Sequence, residues 1–320
     1  MPCGYGLFNM PEDPRAGHSR NSFRGKNVEL SVKLAEKSSS NELFCSFELI
    51  SRPDGREETY QQMFSVLEQC NPLFYSITWH KVENVSAENH PSLKLFEKCS
   101  NIKLLHLTAK GSTRGTVMHV LNRALTVEKK NIFALQGDSD KLDVESTATD
   151  FPYAADLVKF IRAEFGSKFS ICVAGYPDMH PKSPSKESDL FYLKEKVNAG
   201  ADFIITQTIF ESQVFIKFVK DCRHIGINIP IIPGVFPISD FKSLQNLSKN
   251  CKAKIPNNIL QDLELIKDDD AAVQEYGMNL STRVVKEIYQ SGTANGIHVF
   301  TLNRAKLALE FCKRVGFCKV

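Results

Sequence analysis

Asn131-Ile-Phe-Ala-Leu-Gln-Gly-Asp138 is a short β-rich run that closes on an amide, a glycine and a carboxylate. An ending of that kind puts a charge at a strand's mouth, where the glycine lets the backbone come close to a ligand. Runs of the same character start at Phe44, Leu73 and Ile102, so four successive starts stand 29 residues apart. That spacing fits one strand, one helix and their loops. Phe169-Ser-Ile-Cys-Val-Ala174, Ala201-Asp-Phe-Ile-Ile-Thr206, Ile229-Pro-Ile-Ile-Pro233 and Gly296-Ile-His-Val-Phe-Thr301 bring the runs to eight. Helical spacing lies between them, as in Tyr60/Met63/Phe64/Leu67, Leu157/Phe160/Ile161, Leu190/Leu193/Val197, Phe215/Phe218/Val219 and Phe241/Leu244/Leu247. Gly166 and Gly200 fall where helix C-caps belong. Apolar runs without alternation are the mark of parallel strands buried on both faces, and eight of them close a barrel. The expected fold is an α/β (β/α)8 barrel. An open doubly wound sheet would place Gly-x-Gly-x-x-Gly after the first strand, and none is there.

The 320 residues suffice for two ordinary domains or one such barrel, which takes about 250. Residues 1–40, rich in Gly, Pro, Ser and basic side chains, read as a partly disordered tail, with an amphipathic piece around Val28 to Ala35 able to form one docking helix. Residues 41–320 read as the barrel. Arg15, Arg20 and Arg24 invite comparison with a transit peptide, but Glu12, Asp13, Glu29 and Glu36 argue against it. Forty Lys and Arg against 37 Asp and Glu leave a net charge of +3, no basic field for nucleic acid. Nine scattered cysteines without a C-x-x-C pair suggest neither a zinc ribbon nor a disulfide framework, and fit a reducing, cytoplasmic setting. No run reaches the roughly 20 apolar residues that span a bilayer. The acidic turn Asp268-Asp269-Asp270 reads as an exposed helix start.

Active sites of such barrels form at the C-terminal ends of strands, so polar residues there carry the functional signal. Strand one carries Glu48, strand two ends at Thr78, and strand three contains His106 and Thr108. Strand four gives Gln136, Gly137 and Asp138. Strand five ends at Tyr176 with His180 beyond, strand six at Gln207, and strand eight at Asn303-Arg304. Each has a bland reading: Glu48 as a paired structural carboxylate, His106 as a satisfied core histidine, Asp138 as a helix cap. A glutamate inside an apolar strand is nevertheless costly unless paired or used. The eight dispersed histidines show no H-x-H or H-x-x-x-H pair, which speaks against a metal centre. No lysine stands at a strand end to form a Schiff base. A bound organic cofactor becomes the attractive alternative.

Ser46-Phe-Glu48, Ile77-Thr-Trp-His80, Leu105-His-Leu-Thr108, Ala134-Leu-Gln-Gly-Asp138, Ala174-Gly-Tyr-Pro177 with His180-Pro181, Ala199-Gly-Ala-Asp-Phe-Ile-Ile-Thr-Gln207, Ile232-Pro-Gly234 and Phe300-Thr-Leu-Asn-Arg304 together resemble the catalytic domain of the methylenetetrahydrofolate reductase family, in register from about residue 42 to 316. The resemblance implies a barrel that holds FAD and passes electrons from NAD(P)H to 5,10-methylenetetrahydrofolate, giving 5-methyltetrahydrofolate. It assigns Glu48 as general acid, a role that burial suits by keeping a carboxyl protonated. Asp138 would sit near flavin and pterin, orienting the folate and biasing the cofactor. Thr78, His106, Gln136, Gly137, Tyr176, His180, Asp189 and Lys196 would hold FAD; Asp189 and Lys196, seven apart on one predicted helix, share a face. Gln207 would bind the folate and Arg304 its glutamate-tail carboxylates. The implied partners are the folate and a nicotinamide dinucleotide, with neither nucleic acid nor membrane, and the oligomeric state is left open. The eukaryote-like Thr78-Trp79-His80 wording leans toward NADPH over NADH.

The departures are specific. After the acid the family usually reads Glu-Phe-Phe-Pro-Pro-Arg, whereas this chain reads Glu48-Leu-Ile-Ser-Arg-Pro53, so the following loop is rebuilt. The family's arginine is replaced by Gln136, exchanging a charge-assisted contact to FAD for a neutral one, a weakening of about 1 kcal/mol or more. Eukaryotic members carry a C-terminal regulatory domain for S-adenosylmethionine; with this chain stopping at Val320, regulation by that ligand is not expected. The alternative function is an impaired barrel that binds a folate or a partner, with FAD held weakly.

Overall fold

A computed structural model describes residues 29–52, 55–79, 89–98, 102–137 and 150–318. Helix α1 (Glu29–Ser40) precedes β1 (Phe44–Ile50), α2 (Glu57–Leu67), β2 (Phe74–Thr78), α3 (Pro91–Lys98), β3 (Lys103–Thr108) and α4 (Arg114–Thr126). There follow β4 (Asn131–Leu135), α5 (Ala154–Phe165), β5 (Ser170–Gly175), α6 (Lys186–Asn198), β6 (Phe203–Thr208), α7 (Ser212–His224) and β7 (Ile231–Val235). Helices α8 (Phe241–Cys251), α9 (Asn257–Glu264) and α10 (Asp270–Gln290) separate β7 from β8 (Gly296–Val299), and α11 (Ala305–Val315) ends the described chain. The strands are parallel and close in sequence order, β1 pairing with both β2 and β8. The (β/α)8 barrel read from the sequence is the fold.

Alternate strand residues point outward, where Phe47, Leu49, Tyr75 and Ile297 pack under α2, α10 and α11, and Leu105, Ile132, Ile171 and Ile204 under the remaining helices. The inward set fills the barrel in layers. At the N-terminal mouth Phe44, Phe74, Leu104 and Phe203 meet Leu30 and Leu34 of α1, which are 0 % and 2 % exposed. Of the amphipathic piece expected around Val28 to Ala35, the residues from Glu29 on form a helix that closes this mouth; Val28 lies outside the described residues. Above this layer His298 of β8 is wholly buried between Ser46 and Ser76, at 2.9 and 3.0 Å. Ser46 spends its own proton on Ile297 O, so it accepts from His298 Nδ1–H, and Ser76 donates to Nε2. Burial holds the imidazole neutral, its pKa pushed down to about 3.

Several boundaries differ from the reading of the sequence. Strand β6 begins two residues late because Asp202 is spent in a turn, where it accepts from Ile171 N at 2.6 Å and pairs with Arg162 at 2.7 Å. Strand β7 also shifts by two, since Pro230 has no N–H for a ladder and serves only as acceptor from Ile204 N. Strand β8 stops at Val299, so Thr301 to Arg304 form a loop, not a strand end. Gly166 is a C-cap with φ +59°, but α6 is capped by Ala199, and Gly200 (φ +117°) follows it. A bulge between Ile205 and Thr208 brings β6 against Gly234, where a Cβ would lie 2.2 Å from Thr206 O; only glycine fits. Asp269 caps α10 by accepting from Ala272 N at 3.0 Å, as the acidic turn suggested.

Candidate active site

Glu48 projects from β1 into the barrel one layer above Ser46, opposite its register partner Ser76. Burial raises its pKa to about 7, and a hydrogen bond of 2.9 Å from Thr78 Oγ1 to Oε1 pulls the other way. A carboxyl poised there exchanges a proton near neutrality. The backbone around it is clamped from the β8 side. Beyond the last β1–β8 register pair, Phe47 with Val299, Thr301 Oγ1 donates to Glu48 O at 2.6 Å. Asn303 then imitates a strand, accepting from Ile50 N and donating to Ile50 O, both at 2.8 Å. Leu302 and Asn303 both take positive φ, 46° and 63°, to present those groups.

A cavity of about 630 Å³ opens beside β4, β5 and α6 and is lined by Gln136, Tyr153, Tyr176, His180, Asp189 and Lys196, among others. Asp189 and Lys196 do share a face of α6. Burial lowers Lys196 to about 8 despite the nearby Asp189, and its Nζ donates to Ala174 O at 2.6 Å. Burial raises Asp189, opposed by the His180 backbone N–H and by Lys196. The Tyr176 and His180 rings meet edge to face at 4.5 Å. Gln136 Nε2 reaches Pro152 O at 3.4 Å, and Gly137 takes φ +87°, with Thr108 filling the space where a Cβ would go. A second hollow, of about 750 Å³, lies between α2 and α11 and is lined by Tyr60, Met63, Arg304, Leu307 and Glu310, among others.

The remaining expected residues stand apart from that cavity. His106 is buried on β3 with its ring edge-on to Phe133 at 4.8 Å. Gln207 is held at both ends of its amide, accepting from Thr208 N at 2.8 Å and reaching Cys251 O at 3.5 Å. Arg304 is already engaged: it donates to Ser239 Oγ, to Asp240 Oδ2 at 2.6 Å and to Ser243 Oγ at 3.1 Å. Burial pushes Asp240 upward, but hydrogen bonds from Ser243 and Ser239 and the charge of Arg304 outweigh it and hold the carboxyl at about 2. Asp138 and His80 lie outside the described residues. Reading the sequence picked out Asn303 but missed His298, Asp240 and Tyr153. A histidine in an apolar strand was the available sign for His298; Asp240 acts through Arg304, 64 residues away, and Tyr153 by lining the cavity. Among the described residues no group of three or more His, Cys, Asp or Glu could hold a metal ion, and no helix is long and apolar enough to cross a membrane.

A closed barrel plugged at its N-terminal mouth, with a neutral-range carboxyl and a polar cavity toward the other, has the build of a barrel enzyme. The chain belongs to the methylenetetrahydrofolate reductase family, whose model matches residues 33–316. It is 38% identical over 260 residues to a probable methylenetetrahydrofolate reductase (NADPH) of Caenorhabditis elegans, covering 79% of this chain and 39% of that one. It is 37% identical over 281 residues to methylenetetrahydrofolate reductase (NADH) 1 of Arabidopsis thaliana, covering 82% and 46%. The chain thus spans about half or less of the length of these relatives. Against the 5,10-methylenetetrahydrofolate reductase of Pectobacterium carotovorum it is 31% identical over 85% of itself and 89% of the relative. A solved structure of an uncharacterized Clostridium thermocellum protein, which binds two copies of 5-methyl-5,6,7,8-tetrahydrofolic acid, has a TM-score of 0.62 over 88% of this chain and 98% of that chain. At 16% identity this likeness is one of fold.

Proposed function

We propose that this chain reduces 5,10-methylenetetrahydrofolate to 5-methyltetrahydrofolate with electrons from NAD(P)H, using FAD held in the cavity beside β5 and α6. The observation that carries the proposal is Glu48, a carboxyl raised to about 7 inside the barrel of a chain from this family. Opening the five-membered ring of the substrate requires a proton on a departing nitrogen, and a placed carboxylic acid accelerates such a step roughly 10²- to 10⁴-fold. With a pKa near 7, Glu48 carries that proton in a sizeable fraction of molecules at neutral pH, and Thr78 keeps its carboxyl aimed.

The cavity's donor set suits FAD. Lys196, Lys182 and Lys159 offer positive charge for a pyrophosphate, while Ala134, Leu135 and Tyr176 offer apolar and aromatic surface for flat rings. FAD, when bound, carries hydride from NAD(P)H to the folate. Thr78, His106, Gln136, Gly137, Tyr176, His180, Asp189 and Lys196 are the residues that would hold it. Gln207 would contact the folate and Asp138 would orient it. Arg304 would meet the glutamate-tail carboxylates, which must share it with Asp240. This reading places the chain in one-carbon metabolism that supplies methyl groups for methionine, in the cytoplasm.

The test is made on the purified chain incubated with FAD, freed of excess cofactor, and mixed anaerobically with NADPH and separately with NADH. Retained flavin absorption that bleaches with at least one of the two supports the reading. A protein that takes up no FAD sinks it.

A further inference from the structure

We propose that Ser51 and Ser92 are positioning residues, a buried pair of hydroxyls that fixes Thr78 against Glu48. The proposal deepens the reading of Glu48 as proton donor and rests on it.

Ser92 lies in the first turn of α3 and is wholly buried; Ser51, just after β1, is 5 % exposed. Ser92 Oγ donates to Thr78 O at 2.7 Å, which uses its only proton. The 2.6 Å contact between Ser51 Oγ and Ser92 Oγ is therefore Ser51 donating to Ser92. Direction is thereby set along the whole line, from Ser51 to Ser92 to the Thr78 carbonyl. Thr78 ends β2 beyond the last β2–β3 register pair, Ile77 with Leu105, so β1 pairs it through Ile50 while no ladder pair holds it on the β3 side. The serine fixes its backbone on one side while its hydroxyl binds Glu48 on the other.

The arrangement gives the rebuilt loop a purpose. Ser51 stands where the family wording has its first proline, which has no hydroxyl to give. Ile50 is the register partner of Thr78, so the residue after it is well placed to reach round the end of β2. Two hydroxyls buried this deeply would each be costly if unpaired; here each has a partner. Their effect reaches Glu48 only through Thr78. The other titratable groups on the inner faces of the described strands are His298 on β8, His106 on β3 and Cys172 on β5, with Lys196 reaching the end of β5. None of these is a source of the Glu48 shift, which burial and Thr78 set between them. Loosening Thr78 leaves burial unopposed and moves the titration of Glu48 upward.

The experiment follows the carboxyl band of Glu48 by infrared difference spectroscopy against Glu48→Gln, across pH, without turnover. The expected midpoint rises by roughly half a unit to one unit in Ser92→Ala, as the weakening of one hydrogen bond implies. Thr78→Val moves it in the same direction at least as far, and the double variant moves it no further than Thr78→Val alone. Ser92→Thr, which keeps the hydroxyl, restores the original midpoint. An unmoved midpoint in Ser92→Ala, or shifts that add in the double variant, overturns the proposal. Should Ser92→Ala fail to fold, Ser51→Ala, which frees Ser92 without removing its bond to Thr78 O, moves the midpoint in the same direction by a smaller amount, and an unmoved midpoint there overturns the proposal. Because the titration is read without turnover, a protein that shows these shifts but does not reduce folate refutes the function and not the relay.

Discussion

Glu48 is the residue at which stability and the proposed chemistry pull against each other. Its pKa of about 7 lies above the ordinary 4.5, so the folded state binds a proton more tightly than the unfolded one between those values. The stability this contributes is fully present below about pH 4.5 and is lost as pH rises through about 7. Glu48→Gln removes the dependence. Urea denaturation of the cofactor-free protein should show the variant gaining on the natural chain as pH rises from 4.5 to 8, by up to about 3 kcal/mol. A difference that stays flat with pH would mean that Glu48 titrates as an exposed carboxyl. Gln136 poses the opposite case, a neutral amide in a cavity that Lys159, Lys182, Asp189 and Lys196 also line. Its side chain reaches a backbone carbonyl, Pro152 O, and so supplies none of the charge that the family's arginine would bring.

Among the elements, α1 does the least expected work. Leu30 and Leu34 are packed into the floor of the barrel, and fully burying a leucine contributes about 1.5–3 kcal/mol. Leu34→Ala should lower unfolding stability by about 2–5 kcal/mol while leaving FAD affinity within twofold, because the floor and the cavity are at opposite ends of the strands. A loss of FAD affinity out of proportion to stability would show that α1 acts on the site. The strands were legible because parallel strands buried on both faces must be apolar, which the 29-residue rhythm from Phe44 exposes. Their ends were not. Asp202 and Pro230 set two boundaries through hydrogen bonding and a missing N–H that no periodicity reports. Polar residues at strand ends were equally legible, Glu48 and Thr78 above all. Their partners were hidden: Ser92, Asn303 and Asp240 each sit 14 to 253 residues from the group they hold.

At the scale of the molecule, the barrel has one mouth plugged and the proposed site lies toward the other. The family resemblance drawn from the motifs agrees with the family match over residues 33–316, and the fold it implied is the one observed. The proposed reductase and the alternative of an impaired folate-binding barrel share this fold and differ in turnover. Arg304 tied to Asp240, and Gln136 in place of a charge, are the features on which that distinction turns. The most direct test of the central claim is a single-turnover comparison of the natural chain with Glu48→Gln, both loaded with FAD, following flavin reduction by NAD(P)H and then reoxidation by 5,10-methylenetetrahydrofolate. The account predicts that both proteins are reduced at similar rates and that reoxidation falls roughly 10²- to 10⁴-fold in the variant alone. Equal loss in both half-reactions, or a natural chain whose reduced flavin is indifferent to the folate, would contradict it.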